Sequence, residues 1–123
     1  MEIALNEARI ALSQDEIPVG AVIVRGGEII GRGSNSRALD SLPFAHAEMS
    51  ALADAGRRLG TWRFDECTLY VTLEPCPMCA GAIVQTRVRQ VVYGASDPKA
   101  GAAGTLYNIL RDPRMPYRCE VRS

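Results

Sequence analysis

The sequence holds one histidine, His46, inside Ala45-His46-Ala47-Glu48, and one Cys-x-x-Cys, inside Pro75-Cys76-Pro77-Met78-Cys79. Either motif alone is ambiguous, because a Cys-x-x-Cys also serves as a redox dithiol and a lone histidine is commonly a satisfied core residue. Together they offer two thiolates and one imidazole. Three such protein ligands are the set of a zinc site that keeps one position for water, whereas structural zinc is closed by four. A zinc carrying two thiolates has little net charge, so it gains from a base beside its water, and Glu48 stands two residues from His46. That carboxylate can take a proton from water and pass protons on to a ring nitrogen and a departing amine. Its alternative role is simply that of an acidic residue in a helix's first turn.

The same residue types say how these groups are held. The residue before a proline is pushed out of the α region, so Glu74 is extended, while Pro77 suits the first position of a helix. Cys76 then falls at the N-cap and Cys79 three positions on, converging where free amides and the positive end of the helix dipole favour thiolates. His46 and Glu48 stand at the start of a second helix, in which Met49, Leu52, Ala53 and Leu59 keep helical spacing up to Gly60. Of the other cysteines, Cys67 begins the strand that leads to Cys76, and extended chain at roughly 3.3 Å per residue carries it away from the site. Cys119 lies in the tail, and a fourth ligand from it would make the zinc structural.

The remaining elements are consistent with a layered α/β domain. Apolar residues from Ile3 to Leu12 mark a first helix, stopped at Ile17-Pro18. Val19 to Arg25 and Glu28 to Gly33, around Gly26-Gly27, read as a hairpin. Residues 34 to 45 read as a loop. Thr68 to Leu73 has the composition of a strand buried on both faces, and the stretches Pro77 to Gln85 and Val88 to Tyr93 complete a strand, helix, strand crossover that favours parallel pairing. Thr105 to Leu110 reads as a short helix, and the tail from Pro113 to Ser123 as the source of one edge strand.

With 123 residues, 47 % hydrophobic and 23 % charged, the chain is expected to form one domain, residues 1–123. Its apolar runs are too short to span a bilayer, and no export signal is visible at the N-terminus, so a cytoplasmic, thiol-reducing setting is expected. Fourteen basic and fourteen acidic residues cancel, which argues against a general nucleic-acid binder. Their distribution is uneven: residues 1–84 carry seven basic and eleven acidic side chains, residues 85–123 seven and three. The C-terminal third is therefore either suited to an anion or merely a solvated face.

The pattern H-x-E followed by P-C-x-x-C is the signature of zinc deaminases. Beyond it, Ile17-Pro18-Val19-Gly20-Ala21-Val22, Thr72-Leu73-Glu74-Pro75-Cys76, Met78-Cys79-Ala80-Gly81-Ala82 and Gly94-Ala95-Ser96-Asp97, with Lys99 and Gly101-Ala102-Ala103-Gly104, resemble the bacterial tRNA-specific adenosine deaminases over nearly the whole chain. The resemblance implies a cytidine-deaminase-like α/β fold, three layers α/β/α around a five-stranded mixed sheet. It implies one zinc per subunit on His46, Cys76 and Cys79, and Glu48 as the proton shuttle. Asn35 would hydrogen-bond a flipped purine, the Ala47 backbone would help hold it, and Asp97 and Lys99 would lie along the nucleic-acid groove. The implied reaction is hydrolysis of adenosine to inosine at the wobble position of a tRNA anticodon, metal-bound hydroxide attacking C6 and ammonia leaving. The implied partners are a tRNA anticodon stem-loop and a second copy of the chain in a homodimer, with no membrane.

One departure from the family accompanies this resemblance. Members usually continue past the strand matching Arg118 to Arg122 into a terminal helix, whereas this sequence stops at Ser123. Three rival functions remain open on sequence: a deaminase of a free base or nucleoside such as guanine, cytosine or cytidine, a non-catalytic zinc-binding domain, and a Cys-x-x-Cys oxidoreductase.

Overall fold

The computed structural model describes the backbone of residues 1–123 and the side chains of all but residues 38 and 39. Helix α1, Glu2–Ser13, buries Ala4, Ala8 and Ala11, small residues at helical spacing that let it lie close against a sheet. The hairpin follows as β1, Gly20–Arg25, and β2, Glu28–Ser34, paired antiparallel with a bulge between Ile23 and Val24. Then come a short helix α2, Arg37–Asp40, and the long helix α3, Ala47–Leu59. Strand β3, Cys67–Leu73, helix α4, Pro77–Gln85, and strand β4, Gln90–Ala95, form the crossover, and β5, Glu120–Arg122, closes the chain.

Among the described residues the strands make one five-stranded mixed sheet in the order β2-β1-β3-β4-β5. β3 is central. It pairs antiparallel with β1 and parallel with β4, and β5 adds parallel to β4 at the edge. Alternate residues send Ala21, Ile23, Leu69, Val71 and Val91 into one core with Ala47, Ala51 and Ala55 of α3 and Ala80, Ile83 and Val84 of α4. Helix α1 covers the opposite face at β1 and β2, so the domain has three layers, α/β/α.

Two glycines set how closely α3 approaches. At Gly33 a Cβ would stand 2.2 Å from the Ala47 carbonyl oxygen, and at Gly31 2.5 Å from that of Ala51. The first turn of α3, where His46 and Glu48 project, therefore rests directly on the β2 backbone.

Three sequence expectations change. Thr105 to Leu110 forms no helix; the segment is held as turns, with an isolated antiparallel bridge between Ala103 and Asn108 and the Leu106 and Tyr107 amides both donating to the Gly101 carbonyl. The loop of residues 34 to 45 contains α2, whose four residues are too few to show a hydrophobic period. Strand β3 is buried on one face and half-buried on the other, because α1 lies chiefly over β1 and β2.

Candidate active site

His46 is the N-cap of α3 and Cys76 the N-cap of α4, both with extended backbone, so two helix N-termini meet at the ends of the central strands. The His46 amide donates to the Phe44 carbonyl at 2.8 Å, and the His46 carbonyl accepts from Ser50 at 3.0 Å, which fixes the ring's point of departure. Pro77 occupies the first helical position of α4 and Cys79 the third, as the proline spacing requires. The thiols of Cys76 and Cys79 lie 3.6 and 3.4 Å from His46 Nδ1.

This donor set fits zinc. All three ligand atoms lie within 4.8 Å of one another, and among the described residues no fourth histidine, cysteine or carboxylate joins the group. A tetrahedral zinc with bonds of about 2.3 Å to sulfur and about 2.0 Å to nitrogen holds S and N about 3.5 Å apart, in line with the separations here. Cys67 and Cys119 are free, buried thiols outside the group, at the start of β3 and next to β5. Cys119 Sγ donates instead to the Val88 carbonyl.

Electrostatics at the site follow from burial and from two thiols sharing a proton. Hydrogen bonding from the Cys79 thiol pulls Cys76 down to about 5, against the cost of burial and with help from the Cys79 amide and His46. Cys79 is pushed up by that same hydrogen bond and by burial. Glu48 is 4 % exposed, and its carboxyl is raised to about 7, first by burial and then by the charge of Cys76, while its own amide and the Cys79 thiol oppose the rise. A carboxyl held near neutrality both accepts and returns a proton.

A cavity of about 190 Å³ opens beside these groups, lined by His46, Glu48 and Cys76 together with Asn35, Ala47 and Asp97. Asn35 is buried, with its side-chain NH2 donating to the Ile17 carbonyl at 3.4 Å and its side-chain oxygen accepting from the Arg37 amide at 3.5 Å. Both contacts are long, which leaves the amide poorly satisfied by the protein itself. Ala47 opens α3, so its amide belongs to the helix's unpaired first turn. Asp97 lines the cavity and also accepts from the amides of Lys99 and Ala100, as a turn residue does. Lys99 is exposed and does not line the cavity.

The sequence assigned no task to Glu74, and the structure makes it the brace of this wall. Its carboxylate is 2 % exposed and accepts from the amides of Asp97 (3.1 Å), Ala103 (2.9 Å) and Thr105 (3.2 Å), and from the Thr105 hydroxyl. Burial works to raise its carboxyl, and these hydrogen bonds overcome it and hold the group below the usual range. A Cβ on Gly101 would meet that carboxylate at 2.5 Å, so the segment can wrap it only with glycine there. The available signal was a carboxylate between an apolar strand and Pro75, a position costly to bury without partners.

Residues 1–112 match the family of MafB19-like deaminases. The tRNA-specific adenosine deaminase of Bacillus subtilis (strain 168) is 52 % identical over the whole of this chain and 76 % of its own length. The chain belongs to the tRNA-specific adenosine deaminase family. A solved structure from biochemical and structural studies of A-to-I editing by tRNA:A34 deaminases superposes with a TM-score of 0.96 at 43 % identity, covering 100 % of this chain and 95 % of that one. Guanine deaminase from Bacillus subtilis superposes with a TM-score of 0.77 at 40 % identity, over 85 % of this chain and 67 % of its own. The chain is thus a hydrolytic deaminase with the cytidine-deaminase-like fold. Among the described residues of this family member, no helix is long and apolar enough to cross a membrane.

Proposed function

We propose that this deaminase acts on adenosine at the wobble position of a tRNA anticodon, converting it with water to inosine and ammonia, and that it works as a zinc-dependent homodimer. The observation that carries the reading is the convergence of His46, Cys76 and Cys79 within 4.8 Å, beside a buried Glu48 and a cavity that admits one base. His46 Nδ1 and the two thiolates would hold one zinc, which when bound makes water nucleophilic at neutral pH. Glu48 takes one proton from the attacking water and gives it to the purine ring nitrogen, then takes the second from the hydroxyl formed on C6 and gives it to the departing amine, so that ammonia leaves as the carbonyl of inosine forms. Asn35 and the Ala47 amide hold the flipped base by its polar edge, and the buried wall around them excludes bulk water. Asp97, on the lining of the same cavity, and Lys99, exposed outside it, lie along the groove that takes the nucleic acid near the target nucleotide.

Similarity to a guanine deaminase supports one competing substrate, the free base guanine. Zinc-loaded protein is therefore incubated with an anticodon stem-loop bearing a wobble adenosine and, separately, with guanine, and products are read by mass spectrometry. Inosine at that one position, with guanine left intact, is the expected result. Xanthine without inosine would replace the tRNA reading by the free-base one.

A further inference from the structure

At the end of α4 remote from Cys76, a second and larger cavity of about 510 Å³ is lined by Arg63, Arg87, Arg89 and Arg118, with Asp65 and Glu120 as its acids. Four cations against two carboxylates leave it net positive. Arg63 is spoken for by Asp65, at 3.0 Å, whereas Arg89 and Arg118 have no carboxylate partner among the described residues. Arg87 is the unusual member. Its guanidinium carbon lies 4.0 Å from the centre of the Tyr117 ring and 5.6 Å from that of Trp62, and it donates to the Tyr117 hydroxyl. Stacking of this kind fixes a planar guanidinium and leaves its edge free for hydrogen bonds.

One further observation singles out this residue: its Nε–H is buried and has no acceptor among the described residues. With φ of 63° it is the left-handed residue that ends α4, the Arg87 amide donating to the Val84 carbonyl and the Val88 amide to the Ile83 carbonyl, so its backbone is fixed by the helix terminus. The nearby carboxyl end of α4 supplies a fraction of a charge, which does not balance the cluster. A guanidinium ordered by two aromatic rings, in a cavity whose other cations outnumber its carboxylates, is complemented by an oxyanion with several acceptor oxygens.

We propose that this groove is a phosphate-binding site, in which Arg87 is the oriented donor and Arg89 and Arg118 supply charge. The phosphate belongs either to the backbone of the RNA substrate or to a free phosphate ion. The RNA source rests on the tRNA reading above; the site itself does not. Nine residues of α4 at about 1.5 Å rise each separate it from the pocket by about 13 Å, so it is a distinct place from the zinc ligands.

Two measurements test it on the zinc-loaded chain, comparing wild type with the Arg89→Gln/Arg118→Gln double variant. Both positions are exposed, so the variant is expected to fold, and its circular dichroism checks this. Inorganic phosphate is titrated at constant ionic strength against chloride while the emission of Trp62, the chain's one tryptophan, is followed. Wild type is expected to show a saturable change that the double variant shows at least about tenfold more weakly. Binding of an anticodon stem-loop is then measured between about 50 and 200 mM salt, where each lost phosphate contact lowers the slope of log K against log salt by about one. Arg9→Gln, on the far helix α1, serves as the control for general charge. A slope reduced in the double variant but not in Arg9→Gln assigns the site to the RNA backbone. A phosphate response lost in the double variant with an unchanged slope, or with no RNA binding at all by wild type, assigns it to free phosphate. No difference between wild type and double variant in either measurement overturns the proposal and leaves Arg87 a structural stack.

Discussion

At its N-terminus α4 delivers Cys76 and Cys79 to the site of a cavity of about 190 Å³, two of whose three carboxylates, Glu48 and Glu74, are nearly fully buried. At its C-terminus the same helix gives on to a groove of about 510 Å³ lined by arginines, three of them largely exposed. The dipole suits each end, favouring thiolates at the first and cations at the second. The first region has its groups held by short-range constraints: two N-caps, a proline at the first helical turn and a carboxylate taking four hydrogen bonds. The second is held by one stacked guanidinium and an exposed Arg63–Asp65 ion pair. Reaction chemistry needs groups placed to fractions of an ångström in a dry site, while charge recognition works through water and tolerates mobile side chains.

The comparison is broken most directly at Glu48. In Glu48→Gln, turnover is expected to fall by about 10² to 10⁴, the usual share of a general acid and base, with zinc content by elemental analysis still one per chain. Retained turnover with retained zinc would strip the small cavity of its catalytic status. Glu74→Ala ranks next. It leaves the buried amide of Ala103 and the part-buried amides of Asp97 and Thr105 without their acceptor, so urea denaturation is expected to show a loss of about 3 kcal/mol, with faster amide exchange at those positions.

A pH dependence separates the two regions further. Burial raises the Cys119 thiol, next to the groove, from 9.0 to about 11. A raised folded value means that its contribution is complete below pH 9 and is lost as the pH climbs through 11, because the unfolded thiol ionises first. Wild type is expected to lose roughly 2 kcal/mol over that window beyond what Cys119→Val loses, measured by urea denaturation at pH 8 and pH 11. The smallest effect sharpens the contrast: Arg118→Gln is expected to change stability by no more than about 0.5 kcal/mol, since the side chain is exposed and makes no ion pair among the described residues. A loss comparable to that of Glu74→Ala would show that the groove, too, is a structural brace.

Much of the fold and of the candidate site was legible before any coordinates. Proline spacing around Cys76 placed both thiols at a helix N-terminus, because that inference uses only local backbone sterics. The hairpin, α1, α3 and the β3-α4-β4 crossover followed from periodicity and turn residues for the same reason. Thr105 to Leu110 misled because the start of the segment answers to contacts made far away: the Ala103 and Thr105 amides and the Thr105 hydroxyl turn towards Glu74, some thirty positions earlier, rather than opening a helix. Asn35 and Asp97 carry no signal of their own in composition or spacing and are implied only by the family resemblance; the structure puts both on the lining of one pocket.

By itself the sequence determined the kind of chemistry, since one histidine, two spaced cysteines and one adjacent glutamate permit few alternatives, and it determined the elements that carry them. Tertiary structure alone decided that these groups meet. Gly31 and Gly33 let α3 down onto β2, parallel pairing sets α4 beside α3, and Glu74 fastens the wall that bears Asp97. Each is a contact between residues distant along the chain, where close packing and the demand of a buried carboxylate for donors, rather than any local preference, select one arrangement.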